Sequence, residues 1–223
     1  MKKVLFFSML ACAFVACGGG NVDKVKNATL RGYDTMTISA AIEGSKICES
    51  IKYEDVSKDG LNLVKMTCTE NQARIKERYE KELAKNNEYL SGYMAEFRKV
   101  VVGEISDDEI KEAAQKYVVL DTEKNKMFPN HKFDKNEFKE FMDKKDLKYK
   151  NGRNLGWGNP LIDIARTMSE APKLPKSVVY EINFIIKPDG SIDHPKDIFA
   201  LIDGDRTQAG YSVLNDFYKR ESN

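Results

Sequence analysis

Apolar residues recur along this chain in two rhythms, and their order divides it into β, α and β stretches. Ile51-Lys52-Tyr53-Glu54 alternates apolar and charged side chains, and Leu61 to Thr69 alternates again with Val64, Met66 and Cys68 on one face. Ser57-Lys58-Asp59-Gly60 stands between the two runs as a turn, so they predict a β-hairpin. Ahead of it, Thr37 is placed to cap a short helix whose Ile38, Ala41, Ile42 and Cys48 share a side, with Gly44 limiting its length. From residue 70 the spacing changes to three and four. Ile75, Tyr79, Leu83, Leu90, Tyr93, Met94, Phe97 and Val101 predict one long helix over 70–102, in which Glu77 and Lys81 sit a turn apart. Core packing accounts for that stripe, and a partner-binding seam is the other reading. Ser106-Asp107-Asp108-Glu109 is a capping box, with Ile110, Ala113, Ala114, Tyr117 and Val118 facing inward beyond it. Asp134 followed by Glu137 resembles a second box ahead of Phe138, Phe141 and Met142, and Asn159-Pro160 opens a third helix through Ile162, Ala165 and Met168. Period two then returns. Val178, Tyr180, Ile182, Phe184 and Ile186 form the strongest strand pattern, Pro188-Asp189-Gly190 a turn, and Ile198–Ile202 the returning strand. A last helix carries Tyr211, Leu214, Phe217 and Tyr218.

The first twenty residues follow neither rhythm. Lys2 and Lys3 precede an apolar run from Val4 to Val15, which is a secretory signal too short to span a bilayer as a helix. Ala16-Cys17 at its end resembles the lipobox of bacterial lipoproteins, with Phe14 where that motif usually has Leu or Val and with Cys12 as the weaker alternative. The resemblance implies cleavage before Cys17 and acylation of its thiol and new amino group. Several acyl chains hold a protein on a membrane stably. Gly18, Gly19 and Gly20 then serve as a flexible tether, and Gly18 in place of Asp resembles the outer-membrane sorting pattern. An ordinary secretion signal with an incidental cysteine is the plainer reading.

A second resemblance lies just downstream. "VKNATL" at 25–30, then "YDTMTISAAIE" at 33–43 and a hairpin, is similar to a domain that recurs in small Gram-negative lipoproteins. Its usual opening reads approximately V-K-x-G-T-L and T-[VI]-G-x-A-[FL]; Asn27-Ala28 and Ser39 depart from its glycines. A closing hairpin and terminal helix also belong to that domain. It implies a fold and carries no activity or catalytic positions across.

Charge changes the picture mainly by exclusion. Lysine and arginine number 36 against 35 aspartates and glutamates, and loss of Lys2 and Lys3 leaves 34 against 35. A surface so evenly mixed argues against nucleic acid and against an electrostatic membrane patch. Residues 70–150 carry 18 charges of each sign, which fits a solvated helical insertion.

The candidate chemistry is sparse. Cys48 and Cys68 are an even pair in what the signal makes an oxidising compartment, so they read as a disulfide, with two small buried thiols as the alternative. His131 and His194 are the two histidines, without the spacing of a zinc site, and both read as solvent-facing positions in loops or after turns. Asp121 to Asn125 opens like a calcium loop, but Lys126 and Lys132 occupy the positions where such a loop needs Gly and Glu. Asp189 to Asp193 and Asp203-Gly204-Asp205 read as turns. Gly152 to Gly158 is the most unusual loop: Trp157 beside Arg153 and Asn154 is either a core anchor or a contact for a glycan or protein.

These readings predict an α+β fold, an antiparallel sheet built from two β-hairpins that pair with one another and are packed by helices. Residues 1–16 are the expected signal peptide, 17–21 the lipidated tether, and 22–223 a single domain with a helical insertion at about 70–175. No nucleophile, base, metal or cofactor constellation is recognisable, so a non-enzymatic envelope interaction module with an envelope protein as partner is expected. An inhibitor or immunity lipoprotein acting on a cell-wall-degrading enzyme is the alternative. A hydrolase using Asp163 with Glu170 is a third.

Overall fold

The computed structural model describes residues 20–121, 130–150 and 159–219. In chain order these form α1 (Asn21–Asn27), α2 (Ile38–Gly44), β1 (Cys48–Asp55), β2 (Asn62–Glu70), α3 (Gln72–Val100), β3 (Val101–Val102), α4 (Asp107–Tyr117) and β4 (Val118–Asp121). There follow β5 (Asn130–Phe133), α5 (Lys135–Lys144), β6 (Lys148–Tyr149), α6 (Pro160–Ser169), β7 (Val178–Ile186), β8 (Ile198–Ile202), β9 (Asp205–Gln208) and α7 (Ser212–Tyr218). The class is α+β. The chain divides into two compact units: residues up to Gln72 together with those from Lys176, and Ala73–Pro175. Each unit has its own hydrophobic core, and no residue belongs to both.

The first unit is built on a five-stranded antiparallel sheet in the order β1-β2-β7-β8-β9. The two predicted hairpins meet along β2 and β7, whose register sets Met66 opposite Ile182 and Val64 opposite Phe184. Tyr53 extends the same row on β1 and Ile198 on β8. Because side chains alternate across a strand, this register commits Val64, Met66, Cys68, Ile182, Phe184, Ile186 and Ile198 to one face. Val25 of α1, Ile38 and Ile42 of α2, and Leu214 and Phe217 of α7 pack onto that face. Burying each of these larger side chains contributes roughly 1.5–3 kcal/mol before ordering costs. The Thr37 hydroxyl caps α2 by accepting from the Ala40 N–H at 3.3 Å, as its position predicts.

The other face is a charge ladder. Lys65 lies 3.8 Å from both Glu54 and Glu181, Glu181 is 3.2 Å from Arg206, and the Arg206 guanidinium stacks 3.4 Å from the centre of the Phe199 ring. Arg206 belongs to β9, a strand the sequence reading does not include. All four β9 residues are exposed and polar, so no alternation marks them. What makes the strand is the turn before it. Asp203 (φ 53°) and Gly204 (φ 93°) both take left-handed backbone, the requirement of a two-residue hairpin turn. The Asp203 carboxylate also accepts from the Lys176 and Ser177 N–H groups at 2.7 and 2.9 Å, tying this turn to the start of β7.

The second unit gathers α4, α5 and α6, the end of α3, and two short antiparallel strand pairs, β3–β6 and β4–β5. The Ser106–Glu109 capping box is complete. At α5 only half of the expected box forms: Asp134 accepts from the Asn136 and Glu137 N–H groups, while its own N–H donates to the Tyr117 carbonyl at 3.0 Å. The Asn159 side chain caps α6 through the Leu161 N–H at 3.0 Å.

Glu109 links two of these helices. Its carboxylate accepts from Lys145, which follows α5, and from the Ser106 N–H and hydroxyl, both at 2.9 Å. Together these bonds, the lysine's first, lower its pKa from the ordinary 4.5 to about 2. A carboxyl depressed in the fold adds stability above its unfolded pKa and loses it as pH falls through the folded one. The slope of unfolding midpoint against pH between about 4.5 and 2 should therefore flatten in Glu109→Gln. Parallel slopes in urea titrations of the two proteins would remove this coupling.

Candidate functional site

The α3 stripe does not behave as one object. At 1.5 Å per residue the 29-residue helix is about 43 Å long, and the second unit's core uses only its final turns, where Met94 and Phe97 are buried and Leu90, Tyr93 and Val100 pack beside them. Ile75 is buried near the start. Between these ends, Tyr79 and Leu83 are half-buried and join neither core, and Tyr89 is 51% exposed with Lys85 5.6 Å over its ring. Polar flanks hold this span helical: Glu77 pairs with Lys81 at 2.6 Å, the predicted pair, and Lys76 with Glu80 at 3.8 Å. Core packing thus accounts for the C-terminal end of the stripe, and its middle residues Tyr79 and Leu83 belong to neither core.

A second cluster forms in the first unit from segments far apart in sequence. The Tyr33 and Tyr218 rings lie 4.3 Å apart, and the Tyr33 hydroxyl donates to the Asn215 side chain. Burial, then the Tyr33 hydroxyl, pushes the Tyr218 phenol up to about 12, and burial with the nearby Glu43 carboxylate raises that of Tyr53. Among the described residues the Tyr53 and Tyr218 hydroxyls have no hydrogen-bond partner. These phenols stay neutral over the physiological range, so they offer hydrogen bonds and not a nucleophile. His194 packs edge-on against Tyr211, with ring centres 4.9 Å apart. A cleft of about 320 Å³ opens next to it, lined by Lys196, Ile198, Gln208, Ala209, Gly210 and Tyr211.

Cys48 and Cys68 form the disulfide, with Cα atoms 5.4 Å apart. It spans the β1–β2 pair at a bulge, where Cys48 faces Glu70 and the next pair is Ser50 with Thr69. Cys17, Arg153, Asn154 and Trp157 lie outside the described residues, as does most of the calcium-like stretch after Asp121. His131 is exposed as expected, but on β5 opposite Leu120 and not in a loop. His194 is half-buried against aromatic rings, which corrects its solvent-facing reading. Asp163 pairs with Arg166 at 3.5 Å, and Glu170 is the residue that ends α6, seven positions on. Asp189 accepts from the Ser191 N–H and hydroxyl at 2.9 and 2.7 Å, which makes its segment a turn. Among the described residues no group of three His, Cys, Asp or Glu side chains is arranged to hold a metal, and no helix is long and apolar enough to cross a membrane.

No family model, curated protein or solved structure matches the chain. The aromatic cluster had no sequence signal, because Tyr33, Tyr53, His194 and Tyr218 are each unremarkable in their own windows. The disulfide and the α3 stripe did have one.

Proposed function

We propose that this chain is a lipid-anchored bacterial lipoprotein, held to the outer membrane on its periplasmic side through Cys17, that acts as a non-enzymatic interaction module for another envelope protein. The observation that carries the reading is the middle of α3. Tyr79, Leu83 and Tyr89 sit on a charged helix outside both cores, and tyrosine is among the residues that anchor protein interfaces. The Cys48–Cys68 bond supports export, since structural disulfides persist in oxidising compartments.

The test places a photoreactive amino acid at Leu83 of the full-length protein in a Gram-negative host and irradiates intact cells. One discrete adduct is expected, lost when Tyr79→Asp is added, while acylation on Cys17 is read from the mass of the N-terminal peptide. Adducts no more discrete at Leu83 than at Asp205 would sink the interaction reading. An unacylated cysteine would sink the anchor.

A further inference from the structure

The start of the described chain is pinned to one end of the sheet. Asn21 opens α1 four residues after Cys17, and its side-chain amide donates to the Ser57 hydroxyl at 3.1 Å. Ser57 lies in the β1–β2 turn, fixed there by bonds from its own N–H to Asp55 and from the Leu63 N–H to its hydroxyl, each 3.0 Å. Val25, with no exposed surface, fastens α1 into the core beneath. Four residues at full extension span about 14 Å. An acyl anchor on Cys17 therefore keeps the β1–β2 turn within about that distance of the bilayer.

The antiparallel register defines what else shares this end. Asn62 at the start of β2 faces Ile186 at the end of β7, so the turn at 187–191 lies beside the turn at 56–61. The opposite end is reached after the nine residues of β2, about 30 Å away. There the Gln72 side chain donates to the Lys176 carbonyl at 2.9 Å, closing the two points where residues 73–175 leave and rejoin the sheet.

The near end also has a surface suited to lipid. Val56 and Leu61 flank the turn and are 40% and 47% exposed, two of the large apolar side chains that the fold leaves in solvent. Between them Lys58 and Asp59 lie 4.0 Å apart, both more than four-fifths exposed, and cancel in charge. The tip of the turn is thus neutral, and what it offers a bilayer is apolar surface.

We infer that this end of the sheet rests on the bilayer, with Val56 and Leu61 entering the headgroup region and the strands leading away from the membrane to the Gln72–Lys176 junction. The inference rests on the proposed acylation of Cys17; the acyl chains supply the attachment, and the apolar turn supplies its orientation.

The experiment reconstitutes the full-length acylated protein into phosphatidylcholine vesicles carrying a headgroup-linked nitroxide quencher. Leu61→Cys, Val56→Cys and, at the far end, the exposed Asp205→Cys each carry an environment-sensitive dye. Dyes at 61 and 56 should lose most of their emission and the dye at 205 almost none, with no change when salt is raised. Equal emission from all three on protein that is acylated and floats with the vesicles overturns the inference and leaves the anchor standing. Protein whose Cys17 carries no acyl chain overturns both.

Discussion

Replacing Phe138 by alanine should lower the stability of the 73–175 unit by about 4 kcal/mol, from lost transfer energy and the cavity left behind. The side chain is 1% exposed and sits where α3, α4, β5 and α5 meet. Its ring lies 5.5 Å from Tyr117 and 6.5 Å from Phe97 in edge-on geometry, with Phe133 at 5.3 Å and Phe141 at 5.8 Å. No single neighbour can close over the gap, because Phe138 is the ring that all of them share. Domains are stable by about 5–15 kcal/mol, so this loss removes a large share. Native-state hydrogen exchange locates it. Amides of α4 and α5 should lose protection, while those of β2 and β7, whose core shares no residue with Phe138, keep theirs. Equal loss in both units would mean that the two cores unfold as one.

That two-core organisation was half legible in the sequence. Strands β2 and β7 announced themselves because each buries one face only, so burial and alternation coincide. Helices α2, α4, α5 and α6 were marked by Thr37, Ser106, Asp134 and Asn159, whose side chains cap in the structure as their positions imply. The rest failed for physical reasons. Strand β9 exposes all four residues and is held by a turn and a charge ladder, neither of which has a periodic trace. The strand pairs β4–β5 and β3–β6 are four and two residues per strand, too short for alternation to register. Val118 was read as the last inward position of a helix and is instead the first residue of β4; an apolar residue at a helix end fits both patterns. His194 looked like a turn residue, and only the fold brings Tyr211 and Tyr33 to it. For the candidate site, the spacing along α3 showed the stripe but not where it leaves the core.

Removing the Cys48–Cys68 bond should cost the sheet unit about 3 kcal/mol, the chain-entropy value for a loop of this length. The sequence separation is 20, and the loop that the bond closes contains the whole of the β1–β2 hairpin. Strand β1 depends on it more than the others do. It is an edge strand, bulged at Glu49, with Ile51 and Tyr53 only half-buried, and β2 is the one strand it pairs with. Two measurements separate the covalent effect from packing. Urea unfolding of the wild type with and without reductant gives the crosslink's contribution. The double variant Cys48→Ala, Cys68→Ala should show the lower midpoint and no further response to reductant, apart from a small added loss where the fully buried Cys68 sulfur is removed. A wild-type midpoint indifferent to reductant, in protein whose mass has risen by two hydrogens, would show that the bond contributes nothing. Without the bond β1 would be held weakly first at its Cys48 end, which pairs with Glu70 and lies opposite the β1–β2 turn.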